Sequence, residues 1–233
     1  MNWHALNQRI VTCDRCPRLR GHCQNIAQIR RAAYAQQEYW GRPVPNLAPP
    51  DLASVRLLIV GLAPGAHGAN RTGRLFTGDR SGDFLFRAMH QTGFVSQPTS
   101  QSADDGLELI GCAITGICHC APPDNKPSNL EIANCTPFLD QTLGLLEGVK
   151  GVLALGKLAF DASISLLERT GHPVPRPKPK FAHGVVAWSD NHARFLIGSY
   201  HPSQQNTFTG KLTPAMLRGV FRQAKRFINP SKI

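Results

Sequence analysis

The 233-residue chain carries 26 Lys+Arg against 15 Asp+Glu, a formal net charge of +11, with 42% hydrophobic and 18% charged residues. That balance excludes a disordered chain, and no apolar run approaches the ~20 residues of a membrane-spanning helix. The N-terminus, Met1-Asn2-Trp3-His4, has neither the basic nor the apolar part of a signal peptide, so a basic cytoplasmic protein with a polyanionic partner is expected.

Residues 1–50 read as an N-terminal extension: Cys13, Cys16 and Cys23, a helical stretch from about Ile26 to Trp40, then a proline-rich run ending at Pro49-Pro50. Val55 to Val60 is a short, mostly apolar run closed by Gly61, the pattern of a buried parallel strand. Ser81 is placed to cap a helix whose apolar residues Phe84, Leu85, Ala88 and Met89 recur at helical spacing, with Gly93 as its stop. Leu109 to Ile114 is a further apolar run. Ser128-Asn129-Leu130-Glu131 is a capping box that opens a helix to about Leu146. Gly151 to Leu155 predicts a third strand, followed by a helix from about Leu158 to Glu168 and a stiff basic loop from Gly171 to Lys180. Val185 to Trp188 and Phe195 to Ile197 supply two more strands, and Thr213-Pro214 starts the last helix. Strands alternating with helices imply a parallel sheet covered on both faces, within one domain spanning 1–233.

Three segments stand at the carboxyl ends of predicted strands, where functional loops of such folds lie. The first runs from Gly61-Leu62-Ala63-Pro64-Gly65 through Asn70-Arg71-Thr72-Gly73-Arg74-Leu75-Phe76-Thr77-Gly78-Asp79. Its glycines allow close approach of a ligand to the backbone. Gly68-x4-Gly73 has the spacing of a nucleotide-phosphate loop, but Arg74-Leu75 replaces the Lys-Ser/Thr pair that such a loop needs. The second segment is Ser199-Tyr200-His201-Pro202-Ser203, a histidine at a strand end placed as donor or acid. The third is His119-Cys120-Ala121-Pro122-Pro123-Asp124-Asn125-Lys126-Pro127, followed by Cys135.

Taken in this order, the three segments resemble the uracil-DNA glycosylase superfamily, in particular its iron–sulfur, broad-specificity branch, family 5. The likeness takes in Gly61 to Gly65, the N-R-T-G-x-x-F-T-G-D run from Asn70 to Asp79, Glu38 to Pro45, the C-A-P-P-x-N-K-P run from Cys120 to Pro127, and His201-Pro202-Ser203. The resemblance implies a three-layer α/β/α sandwich with a central, mainly parallel four-stranded sheet and a cluster-bearing N-terminal extension. It also implies a monofunctional enzyme that flips a deaminated base out of DNA and hydrolyses its N-glycosidic bond, leaving an abasic site.

On that reading Asp79 orients the water and stabilises the cationic sugar, with Asn125 sharing the task, because Ala63-Pro64-Gly65 lacks the polar side chain that other branches carry in this motif. His201 and the N–H groups of Leu62 and Ala63 face the anion developing on the base. Phe76 offers a stacking face, and Gly61, Leu62, Ala63, Pro64, Gly65 and Gly116 complete the base pocket. Gly116 stands where family 4 has an asparagine that reads uracil, so hypoxanthine and xanthine are expected substrates as well. Ser203, Gln204, Gln205 and Asn206 are expected at the DNA.

Cys13-x2-Cys16 and Cys120-x14-Cys135 match the ligand pattern of the iron–sulfur branches. Four thiolates suit zinc or a 4Fe-4S cluster by spacing alone; the resemblance selects the cluster. Cys118 is the rival to Cys120, Cys112 reads as core, and Cys23 has no role. The partner implied is DNA containing deaminated bases, which would associate the protein with the nucleoid; no membrane contact is expected, and a monomer is. Two basic patches are available for it, Lys211, Arg218, Arg222, Lys225, Arg226 and Lys232 in one, Arg176, Lys178 and Lys180 in the other. A catalytically weak iron–sulfur DNA-binding protein of the same fold is the alternative.

Overall fold

The computed structural model describes residues 1–229; Lys232 of the first basic patch lies outside them. Four parallel strands, β1 (Leu57–Gly61), β2 (Cys112–Gly116), β3 (Gly151–Leu155) and β5 (Phe195–Ser199), form the sheet with an added antiparallel edge strand, β4 (Val186–Trp188), in the order β2-β1-β3-β5-β4. The parallel four agree with the expected sheet, and β4 extends it. Every residue of the parallel strands is buried. Alternation sends Leu57, Ile59, Leu153 and Ile197 into one core, and Leu58, Val60, Val152 and Leu196 into the other.

The first core is closed by α4 (Arg80–Gln91) and α8 (Pro214–Ile228), which contribute Leu85, Met89, Leu217 and Phe221. The second is closed by α5 (Asn129–Leu145) and α6 (Lys157–Arg169), through Leu139, Leu143, Phe160 and Ile164. These are the three layers. The capping box of α5 forms as expected, Ser128 and Glu131 bonding each other's backbone N–H. Thr213 caps α8 and Pro214 occupies its first turn.

Two expectations require correction. Of the stretch expected to be helical from Ile26 to Trp40, only Ile26 to Ile29 lies in an α-helix. That helix, α2, covers Pro17–Ile29, started by a proline in its first turn and stopped by Arg30, which takes φ 56°. Beyond it the chain is held by tertiary bonds, Trp40 and Gly41 N–H donating to the carbonyls of Arg71 and Asn70. Second, α4 is capped by Asp79, whose Oδ1 accepts from Gly82 N–H at 2.9 Å, and not by Ser81. A further helix, α1 (Trp3–Val11), packs Leu6 and Ile10 on Phe138 of α5. The i, i+4 pair behind an Asn2 cap is its signal in the sequence.

Arg74 is turned inward, which settles the fate of the phosphate-loop rival. Its guanidinium binds Asp105 Oδ1 at 2.6 Å, Ser100 Oγ at 2.8 Å, Thr77 Oγ1 at 3.0 Å and the Ala103 carbonyl at 3.1 Å. Only 7% of the Arg74 side chain and 15% of Asp105 reach solvent. Breaking such a pair strands a buried charge, so Asp105→Ala should cost about 3 kcal/mol or more in denaturant unfolding, with the segment from Leu75 to Asp79 loosened first.

Candidate functional site

The parallel strands β1 and β2 end in register, Gly61 opposite Gly116, and a cleft of about 360 Å³ opens at that edge. The volume lies within the range of small-ligand pockets. All three chemistry-bearing segments meet there: Gly61, Leu62, Ala63, Gly65, Phe76 and Asp79 from the first, Gly116 and Asn125 around the third, and His201, Ser203 and Gln205 from the second. Pro64 is buried and is not part of the lining. Leu75, Ser81, Thr115 and Asp124 also line the cleft, and the sequence reading missed them. For Thr115 a signal was present, since it directly precedes the glycine that closes a strand.

Phe76 adopts φ 55°, a conformation that a bulky side chain rarely takes and that marks functional sites. Its ring lies against the end of β1, so close that a Cβ on Gly61 would fall 2.7 Å from it. The Phe76 and His201 rings are 6.1 Å apart with planes at 33°. Among the described residues, the N–H groups of Leu62, Ala63 and Gly65 donate to no acceptor, leaving a row of main-chain donors at the cleft.

Asp79 divides its two oxygens. While Oδ1 caps α4, Oδ2 fits into the first loop, where a Cβ on Gly68 would fall 2.0 Å from it. Burial raises the pKa of this carboxyl above the ordinary value, opposed by bonds from the Gly82 and Ser81 N–H groups. Arg71 anchors the surrounding loop, donating to the carbonyls of His67 at 2.8 Å and Gly78 at 2.7 Å. Burial lowers His201 to about 4, so its imidazole is neutral in the physiological range and can donate a hydrogen bond without carrying charge. Asn125, at φ 55°, projects from the exposed part of its loop.

A second depression of about 630 Å³ adjoins the cleft across Gly65, Asp79, Ser81 and Asn125, with Arg31, Arg80 and Gln204 on its walls. Asn206 does not line the cleft; its Nδ2 donates to the His201 carbonyl at 2.8 Å and so fixes the loop. The two basic patches are partly spent elsewhere. Lys225 donates to the Thr92 carbonyl at the end of α4, opposite the cleft, while Arg176 and Lys178 pair with Glu168.

Away from the cleft, Cys16 stands at the start of α2 and packs with Leu19, Cys23, Cys120 and Ala121. Burial raises the Cys16 thiol, Asn134 opposes this by donating to its sulfur, and the neighbouring Cys135 and Cys13 raise it further. The Cys120 thiol is raised by its bond with Cys23, by burial, and by the charges of Cys23 and Cys135. Cys13, Cys16, Cys120 and Cys135 thus gather as free thiols, with Cys118 and Cys23 beside them. Among the described residues no three metal-binding side chains converge on a single point. Cys112 lies in the sheet core, as expected. No helix of the described residues is long and apolar enough to cross a membrane.

The sequence profile of the uracil DNA glycosylase superfamily matches residues 50–225. A type-5 uracil-DNA glycosylase of Mycobacterium leprae is 50% identical over 222 residues, covering 95% of this chain and 93% of its own. A type-5 uracil-DNA glycosylase of Thermus thermophilus is 41% identical over 228 residues, 97% of this chain and 98% of its own. A type-4 uracil-DNA glycosylase of Pyrobaculum aerophilum is 27% identical over the full length of both.

Proposed function

Since the chain belongs to the uracil-DNA glycosylase superfamily and is a monofunctional hydrolase of uracil in DNA, we propose that it also releases hypoxanthine and xanthine, through Asp79, Asn125 and His201. The observation that carries the broader specificity is Gly116. A Cβ there would fall 2.6 Å from the Cys118 carbonyl, so the folded backbone admits no side chain at the end of β2 to read one base edge bidentately.

Hydrolysis then proceeds by dissociation of the base ahead of water attack. As the bond stretches, negative charge grows on the base, facing the neutral His201 and the free N–H groups of Leu62 and Ala63. The base lies against Phe76. The sugar becomes cationic beside the Asp79 carboxylate, which, with Asn125, orients the water that reaches C1′. No charged group has to move, which is how a preorganised site lowers the barrier.

The iron–sulfur assignment is supported by the same kind of fit. Cys13, Cys16, Cys120 and Cys135 stand near one another as free thiols, a donor set that suits zinc or a four-iron cluster, and it is the resemblance to the iron–sulfur branches that selects the cluster. Its role in this chain is structural, tying α2 to the loop that carries Asn125.

The test is a panel of duplexes containing uracil, hypoxanthine or xanthine, scored after alkali for strand breaks at abasic sites. Release of all three is expected, with rates spread over about one or two orders of magnitude, since a missing reader is worth roughly 1–3 kcal/mol. Cleavage confined to uracil would overturn the broad reading.

A further inference from the structure

At the end of the sheet opposite the cleft, a depression of about 660 Å³ lies between the turn joining β4 to β5 and the last turns of α8. Its floor is aromatic. Trp188 closes β4, Phe195 opens β5 and Phe227 comes from α8, with ring centroids 5.1 to 5.5 Å apart and edges against faces. His192 lies against Trp188 at 6.0 Å, in a turn where it takes φ 52°. Trp188 and Phe227 are only partly buried. The rim is basic: Lys150, whose Nζ donates to the Ile228 carbonyl at 3.1 Å, and Arg226 line it, and Arg222 stands one turn before Arg226 on α8. All three are exposed, and among the described residues no acidic side chain lines the depression; Asp190, in the same turn as His192, is not part of the lining. Arg222 and Arg226 belong to the basic patch that the sequence offered to DNA. Yet β5 runs from Phe195 here to Ser199 at the cleft, about 13 Å by strand rise, so these charges stand at the far edge from where the base enters.

We propose that this depression docks an acidic peptide segment of a partner protein, with an apolar side chain seated on Trp188 and Phe227 and carboxylates paired with Lys150, Arg222 and Arg226. Charge and ring geometry set the occupant. A basic rim without carboxylates favours an anionic partner and disfavours a second copy of a chain with net charge +11. A strand of nucleic acid also brings negative charge, but its bases need open ring faces to stack on. Trp188 already meets three rings, those of Phe195, Phe227 and His192, which leaves a socket for a side chain rather than a platform for a base. One apolar anchor in a pocket ringed by charge is also how small interfaces concentrate their binding energy. Docking here leaves the cleft open, so the partner holds the protein without competing for its DNA.

The test uses the full chain and a fluorescein-labelled peptide with a single Phe among Asp residues, followed by anisotropy, beside a second peptide in which that Phe is Ala. Saturable binding of the first peptide is expected at micromolar concentration. Arg226→Glu, and separately the loss of the peptide's Phe, should each weaken it about tenfold or more. In a ¹⁵N-labelled chain the indole N–H signal of Trp188, assigned through Trp188→Phe, should shift on titration while those of Trp3 and Trp40 stay in place. Uracil release should be the same for Arg226→Glu as for wild type, and unchanged by saturating peptide. Absence of binding, equal binding of both peptides, or displacement of the peptide by a uracil-free duplex would overturn the proposal. A Trp188 signal that moves with oligothymidylate and not with peptide would make the depression a nucleic-acid site. One that moves with protein concentration alone would make it a contact between copies, and either result excludes the peptide.

Discussion

Asp79→Ala is expected to slow single-turnover uracil release by a factor of about 10² to 10⁴, the range for removal of a positioned acid–base group. The carboxylate is the acidic group of the cleft that the first loop is built around, its Oδ2 occupying space that Gly68 leaves open. Because Asp79 also caps α4, alanine would remove a cap worth about 1 kcal/mol as well as a charge. Asp79→Asn separates the two: the amide oxygen can still accept from Gly82, so stability should hold while the rate falls nearly as far. The pH profile supplies an independent signature. Burial holds the Asp79 pKa above the ordinary carboxylate value, so the rate should fall on the acid side at a higher pH than a solvent-exposed aspartate would give, and that limb should vanish in Asp79→Asn. His201, already neutral above about 4, should add no limb near neutrality. An Asp79→Asn protein with near wild-type rate would move the water-orienting role to Asn125.

The legibility of the sheet in the sequence has a physical cause. Parallel strands buried on both faces must be continuous apolar runs, and each here is closed by glycine or serine where the chain turns toward the cleft. Gly151 to Leu155 therefore has the same bounds in sequence and structure, and the capping box at Ser128 announced α5. The failures arise where a side chain has two duties or a tertiary bond overrides local preference. Asp79 was read as catalytic alone, so the cap was assigned to Ser81, although one carboxylate does both. From Arg30 to Trp40 the composition permits a helix, but Arg30 leaves helical space and Trp40 bonds to Arg71. The strained Phe76 and the inward Arg74 were equally hidden, because neither conformation follows from residue type. The net charge of +11 was a sound guide to the partner and a poor one to the contact surface, since Lys225 and Lys178 serve the fold, while Arg31 and Arg80 border the cleft.

On the proposed iron–sulfur reading, removing a cluster ligand should have an effect that reaches from the N-terminal extension into the cleft. The loop from Cys120 to Pro127 carries Asn125 to the cleft, and α2 holds it at both ends. At one end stand Cys16 and Cys120; at the other, Arg18 donates to the two oxygens of Glu131 at 2.8 and 2.6 Å, and to the Lys126 carbonyl at 3.2 Å. Arg18 is half exposed, so that ion pair contributes little by itself. On that reading the four thiolates would be the stronger tie, since without metal they would be buried like charges or protonated thiols with no cross-link between them. Cys135→Ala should therefore lower iron from about four per chain to below one and abolish the visible absorption band, since a cluster of this type needs its four thiolates. It should also lower the unfolding temperature and slow uracil release through a displaced Asn125, even though Asp79 and His201 are untouched. Cys112→Ala, in the sheet core, should retain iron and colour at a modest loss of stability. Full iron content in Cys135→Ala would exclude Cys135 as a ligand, and a colourless wild-type protein carrying stoichiometric zinc would replace the cluster with a different metal at the same thiols.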